Sequence, residues 1–357
     1  MLTNLIDEAR RQAEICNACR YCEGYCSVFP AMHADRSFSD GDITQLANLC
    51  HNCRGCYYAC QYTAPHEFDL NLPKALAEVR QDSWKSLAWP RGFAVLFDRS
   101  GVAIGTALVL AFALLFAVAQ MLRPESGEGF YAYMSHTVMV AIFAPAFLLP
   151  LLAIALSIRD YWRVVDGGPW TFRDIWSACL SAGRMKNLEG GHGDGCNFED
   201  EDRFSHARRH FHRATLYGFL LCFASTSSGT VLHYVFGMEA PYGVFSLPKL
   251  FGIPGGILLC TGTAGLAWLK TKADPNLGAP KVWGGEMAFI LLLFSVSATG
   301  LLLYATTGTG AVAWLLPVHL GTVLAFFLLT PYSKMAHGFY RMAALTKDAS
   351  RLRVRVS

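Results

Sequence analysis

The sequence predicts an all-α protein in two parts, a small cysteine-rich helical domain followed by a six-helix transmembrane bundle. Three observations predict it. Eight of the twelve cysteines fall within the first 60 residues, in two copies of one pattern. The composition is 53% hydrophobic and 16% charged with a mean hydropathy of +0.30, whereas a soluble chain is about 25% charged. The apolar excess is also localised: residues 1–98 are polar, and beyond residue 100 long apolar runs alternate with short polar loops. The expected division is a cytoplasmic domain over 1–98, a membrane domain over 99–335 with a cytoplasmic loop at 159–212, and a basic cytoplasmic tail over 336–357.

A first helix is expected from about Asn4 to Glu14, with Asp7 and Glu8 near its positive end. Phe38-Ser39-Asp40-Gly41-Asp42 reads as a turn, followed by a helical stretch through Leu46 and Leu49. Asp69 to Leu87 reads as another helix, with Pro73 tolerated in its first turn.

The cysteines carry the chemistry of this domain. Cys16-x2-Cys19-x2-Cys22-x3-Cys26 is followed by Cys50-x2-Cys53-x2-Cys56-x3-Cys60. In two-cluster ferredoxin-like domains the first three cysteines of such a run bind one [4Fe–4S] cluster and the fourth crosses to the other. The expected ligand sets are therefore Cys16, Cys19, Cys22 and Cys60 for the first cluster, and Cys50, Cys53, Cys56 and Cys26 for the second. Zinc sites and a disulfide framework are the competing readings. Zinc motifs split into two CxxC halves across a longer loop, whereas each run here is a triple plus one. The proline that ordinarily follows the fourth cysteine is replaced by Ser27 and Gln61, with Pro30 and Pro65 a few residues later. The amino-terminal stretch has no apolar h-region, so no secretory signal is expected, and the cysteines are placed in the reducing cytoplasm.

Six segments are long enough to cross about 30 Å of hydrocarbon: Gly101–Met121, His136–Ile158, Thr215–Val235, Leu247–Leu269, Val282–Ala305 and Val312–Tyr332. Basic residues assign the sides. Nine arginines and lysines from Arg159 to Arg213 follow the second span, Lys270, Lys272 and Lys281 follow the fourth, and Lys334 to Arg355 supply six after the last. The opposite connections, Arg123–Ser135, Phe236–Ser246 and Thr306–Ala311, hold a single basic residue, so both termini are expected in the cytoplasm of a bacterial-type inner membrane. The net charge of +3 gives no reason to expect a nucleic-acid partner; the expected surroundings are the lipid bilayer and redox proteins. Within the loop, Gly190-Gly191-His192-Gly193-Asp194-Gly195-Cys196 reads from composition as a flexible linker, with contact to a partner or a cluster as the alternative. No Gly-x-Gly-x-x-Gly follows a strand, so no nucleotide fingerprint is present. Cys222 and Cys260, inside spans, read as packing thiols.

Five histidines, His136, His212, His233, His319 and His337, sit at or near span ends. Ionisable groups there invite a functional hypothesis, and imidazole pairs from two helices are a usual axial ligation of a b-type haem. The simpler alternative is that they occupy the polar interface. His319 and His337 are 18 residues apart, about five helical turns and roughly 27 Å along one face, so one haem cannot use both but two haems could use one each. His212 and His233 differ in direction by about 60° and His210 and His233 by about 140°, which favours His212 as an inner ligand. His212 and His337 are then the inner pair for one haem b. His136, His233 and His319 are candidates for a second on the outer side.

With these features in place, the chain resembles the tricarballylate/citrate utilization protein B family over nearly its whole length. The likeness rests on Cys16-Asn17-Ala18-Cys19-Arg20-Tyr21-Cys22-Glu23-Gly24-Tyr25-Cys26, on Cys50-His51-Asn52-Cys53 through Tyr57-Tyr58-Ala59-Cys60, and on Gly195-Cys196-Asn197. It continues in Phe211-His212, in Tyr217-Gly218-Phe219-Leu220-Leu221-Cys222-Phe223-Ala224, in His319-Leu320-Gly321 and in His337-Gly338. The resemblance implies an electron-transfer partner for a flavin-dependent dehydrogenase that oxidises tricarballylate to cis-aconitate, passing electrons through iron–sulfur clusters and haem to membrane quinone. It also raises the expectation that the glycine-rich element is functional. The His319/His337 spacing is similar to that of haem-binding histidines in membrane subunits of respiratory nitrate reductase-type complexes. The alternatives are an electron-transfer subunit for another dehydrogenase or a heterodisulfide-reductase-like complex, and a redox-sensing membrane protein. A transporter is disfavoured because the spans hold few mid-membrane ionisable residues. No residue pattern identifies a quinone site.

Overall fold

The computed structural model describes residues 2–122, 132–190, 193–199 and 201–356. Much of the connection Arg123–Ser135, with Gly191 and His192 of the glycine-rich element, lies outside the described residues. Among those described the fold is all-α, with one isolated β-bridge pairing Cys196 with Ser205.

The cysteine-rich domain is built from α1 (Leu2–Cys19), α2 (Val28–Met32), α3 (Asp40–Leu49), α4 (Gly55–Tyr58) and α5 (Leu72–Leu87). The first helix runs on through Cys16 and Cys19, past the expected end at Glu14. The expected turn at Ser39 is a capping box: Asp42 N donates to Ser39 Oγ at 3.2 Å while Ser39 N donates to the Asp42 carboxylate at 3.0 Å. Helix α5 begins at Leu72 with proline in its first turn, and the Asn71 side chain accepts from Lys74 N. The buried apolar core of Met32, Ile43, Leu49 and Leu76 extends to Tyr161 and Tyr340 from beyond the domain.

The helices α6 (Arg91–Met121), α7 (His136–Val164), α9 (Ala207–Phe236), α10 (Leu247–Lys272), α11 (Trp283–Ala305) and α12 (Val312–Leu329) carry the membrane spans; α8 (Phe172–Arg184) and α13 (Ala336–Val356) pack beside the cysteine domain. All six are long and apolar enough to cross a membrane, and their apolar side chains stay exposed, as in Leu110, Leu114, Leu148 and Leu149. Helices α9 and α10 approach closely because glycines line their contact: a Cβ on Gly218 would stand 2.5 Å from Leu259 N, and one on Gly262 2.5 Å from Thr215 N. Small residues of this kind let membrane helices pack backbone to backbone.

Two segments differ from the expectation of loop and tail. Residues 172–184 form α8, opened by a second capping box between Thr171 and Asp174. The basic carboxyl-terminal segment is the helix α13, tied down at several points. Gln45 Nε2 donates to Ala344 O at 2.9 Å, Ser350 Oγ to Pro169 O at 2.9 Å, and Arg353 pairs with Asp174 at 3.1 Å.

Candidate functional site

Cysteines gather into two nests. Cys16, Cys19, Cys22 and Cys60 line a cavity of about 270 Å³, with Cys56 on its wall. A second, tighter hollow is lined by Cys26, Cys50, Cys53 and Cys56. The fourth cysteine of each run thus lines the hollow of the other run, and Cys56 lines both. Burial and the neighbouring Cys60, Cys22 and Cys19 sulfurs push the Cys16 thiol up to about 12, and burial with Cys53 and Cys50 pushes Cys26 well above its ordinary value. Four thiols crowded in this way ionise together only where positive charge offsets them. That donor set suits iron–sulfur clusters.

The glycine-rich element is not a loose linker: it docks on the second nest. Asn197 N donates to Cys53 O at 3.0 Å, and the Cys196 side chain is fully buried against Cys53. Cys196 Sγ donates to Leu188 O at 3.6 Å, and its contact with Cys53 holds the Cys53 thiol below its ordinary value. The turn that brings Cys196 there needs glycine: Gly195 has φ +104°, and a Cβ on it would stand 2.1 Å from Ser205 O. Composition could not separate this from a linker, because the docking is made by backbone groups and one thiol.

The inner histidines meet directly beneath. His212 on α9 and His337 on α13 have ring centroids 6.0 Å apart at an interplanar angle of 73°. Nδ1 of His337 is hydrogen-bonded to Lys334 O, which leaves Nε2 for a ligand. Burial, with the Arg341 and Lys334 cations, holds His337 well below the usual histidine range, so its imidazole is neutral and competent to ligate. Nδ1 of His212 is a buried nitrogen without a hydrogen-bond partner. These features fit a haem held by His212 and His337.

Three arginines, not singled out in the sequence, join this pair to the second nest. Arg208, one turn before His212, donates to Asn52 O at 2.7 Å and His51 O at 2.9 Å. Arg341, one turn after His337, donates to Cys50 O at 3.0 Å. Arg80, 3% exposed, donates to Cys50 O at 2.8 Å and Ala47 O at 3.1 Å. The signal available in sequence was the four-residue spacing of Arg208 to His212 and of His337 to Arg341, which puts each arginine on its histidine's face. His51, within the second run, is half-buried, and desolvation with Arg341 and Arg208 holds it well below its ordinary value.

The other histidines lie toward the far end of the bundle. His136 and His233 stack at 4.1 Å between ring centroids with 27° between planes. They lie face to face rather than opposed across a metal. His319 Nδ1 meets Thr299 Oγ1 at 3.0 Å, beside Gly300. As they stand, these three do not form an opposed pair equivalent to the inner one.

Fold and site together define a membrane protein that carries an iron–sulfur domain of ferredoxin-like type. Residues 9–86 match the Citrate utilization protein B Fer4-like domain, and residues 91–357 match Citrate utilization protein B. A curated relative, Citrate utilization protein B of Escherichia coli, is 43% identical over 354 residues, covering 98% of this chain and 93% of its own. The chain belongs to the citrate utilization protein B family. No solved structure matches it.

Proposed function

We propose that this protein passes electrons from a reduced flavoprotein dehydrogenase, in the use of citrate or tricarballylate, through two [4Fe–4S] clusters and haem b to membrane quinone. In this reading it sits in a bacterial-type inner membrane with both termini in the cytoplasm, where the soluble donor can reach the cysteine domain. The observation that carries the reading is the His212–His337 pair lying under the second cysteine run, with Arg208 and Arg341 spanning the gap to its backbone carbonyls.

When bound, the clusters and haem supply one-electron carriers. The chain itself does the rest. Cys16, Cys19, Cys22 and Cys60 hold one cluster and Cys50, Cys53, Cys56 and Cys26 the other, while His212 and His337 hold the haem. Arg80, Arg208 and Arg341 fix the second run and set positive charge beside its thiolates, which favours the more reduced, more negative state of that site. The Lys334 carbonyl fixes the His337 tautomer.

The test is electron flow in membranes or nanodiscs, with the reduced flavoprotein as donor and a soluble quinone as acceptor. His337→Ala and His212→Ala are expected to lose low-spin haem absorbance and quinone reduction while their clusters remain reducible. A His337→Ala variant with unchanged haem and unchanged quinone reduction overturns the path.

A further inference from the structure

A cavity of about 360 Å³ lies where α5, α6, α11 and the α12–α13 junction meet, at the end of the bundle nearest the cysteine domain. It falls within the range of small-molecule pockets, about 300–1,000 Å³, and neither the clusters nor the histidine pair uses it. Its shape has a local cause. Helix α6 is broken at Ser100, with φ −143° and ψ 33°, and both Ser100 and Gly101 face the space the break leaves. On the opposite wall a Cβ at Gly284 would touch Val102 at 3.5 Å, so the helices meet there, while a Cβ at Gly285 would have nothing within 4 Å.

The lining of the cavity is of two chemical kinds. Phe97, Val102 and Val282 are apolar, with Val102 half exposed. Lys334 and Glu286 are charged and pair with each other; Gln81 Nε2 also donates to Glu286 at 3.1 Å. An ammonium has three donors, and Lys334 makes one hydrogen bond to Glu286, so it has capacity to donate to a ligand oxygen. Trp84 lines the same cavity, with the Lys334 ammonium 5.1 Å over its ring and the His337 ring centroid 6.4 Å from its own. This indole therefore neighbours both the cavity and the histidine that the proposed function assigns to haem.

We propose that this cavity is the quinone site, the ring seated beside Lys334 and Trp84 and the apolar tail leaving between α6 and α11. The occupant must carry hydrogen-bond acceptors at one end and a hydrocarbon tail at the other, and must exchange electrons next to His337. A membrane quinone has all three properties. Its reduction takes two electrons, delivered through this chain from the reduced flavoprotein, and two protons from water. Two O–H bonds form on the quinone oxygens, and the donor flavin is oxidised.

This inference rests on the proposed function, and the experiment separates the two. Holoprotein in nanodiscs is photolabelled with an azido-benzoquinone bearing a short isoprenoid tail, and the adducts are mapped by mass spectrometry. The expected adducts lie within residues 81–103, 281–286 and 331–336. They fall at least tenfold in Gly285→Leu, whose side chain fills the open space, and persist in Gly285→Ala. Gly285→Leu is also expected to keep wild-type iron and haem content while quinone reoxidises its reduced carriers at least tenfold more slowly. Adducts confined to the far end around His136 and His233, or a Gly285→Leu protein reoxidised at the wild-type rate, overturn the site and leave the proposed function standing. A wild-type holoprotein that neither labels nor is reoxidised by quinone overturns both.

Discussion

Replacing Glu286 with glutamine leaves Lys270 and Lys334 facing each other with no anion between them. In the native protein one carboxylate serves both, with Lys270 Nζ at 2.5 Å on one oxygen and Lys334 on the other. Gln81 of the cysteine domain adds a third contact, so this residue ties α5, α10, α11 and the start of α13 together. The side chains are 21% exposed for Glu286, 12% for Lys270 and 23% for Lys334, so water screens them only in part. Each contact is worth on the order of 4 kcal/mol of Coulomb attraction at an effective dielectric of about 20, most of it offset by desolvation. Removing one partner of a buried ion pair costs about 3–5 kcal/mol, because the other charge is left uncompensated. Residual exposure places Glu286→Gln at the lower end, about 3 kcal/mol, or a fall of about 4 °C in melting temperature for a chain of 357 residues. Thermal unfolding of detergent-solubilised protein, followed by helical circular dichroism, measures it. Adding Lys334→Met to Glu286→Gln removes the repulsion and is expected to recover about half the loss. A Glu286→Gln protein that melts within about 1 °C of wild type refutes the reasoning, since it means the two ammoniums were never held by the carboxylate.

Two further predictions concern the cysteines. Cys26→Ser is expected to perturb mainly the EPR signal of the cluster held by Cys50, Cys53 and Cys56, and Cys60→Ser that of the cluster held by Cys16, Cys19 and Cys22; effects confined to each cysteine's own run contradict the crossed arrangement. Cys196→Ala is expected to leave iron content unchanged and to shift the reduction potential of the second cluster, because it removes the polarisable thiol buried against Cys53. Loss of half the iron in that variant means Cys196 is a ligand instead, and an unchanged potential means its contact is only packing.

Much of the fold was legible because its signals are local. The turn at Ser39 and the long apolar runs each act over fewer than about thirty residues, and α3 and the six apolar helices appear where those signals put them, while α1 runs on past its expected end at Glu14. Helix α8 carried an equally local cap, Thr171 to Asp174, but stood inside a segment read as loop from its polarity. The docking of Cys196 on Cys53 was open in the sequence only as the alternative to a linker, since it depends on positive-φ glycines and on a contact between residues far apart in sequence. The inner histidine pair could be anticipated from helical arithmetic and the distribution of positive charge. The outer three could not be sorted in this way, because their positions depend on how α7, α9 and α12 pack at the far end. The cavity beside Trp84 left no motif at all; it comes from a break in α6 and from the spacing of two helices.

The central claim, that two [4Fe–4S] clusters and a bis-histidine haem share this chain, is tested most directly by metal and haem counts with optical and EPR spectra of anaerobically purified protein. The account predicts about eight irons in clusters per chain, two interacting reducible cluster signals and at least one low-spin haem b that disappears in His337→Ala. Zinc in place of cluster iron, or protein that carries full clusters and no haem b, contradicts it.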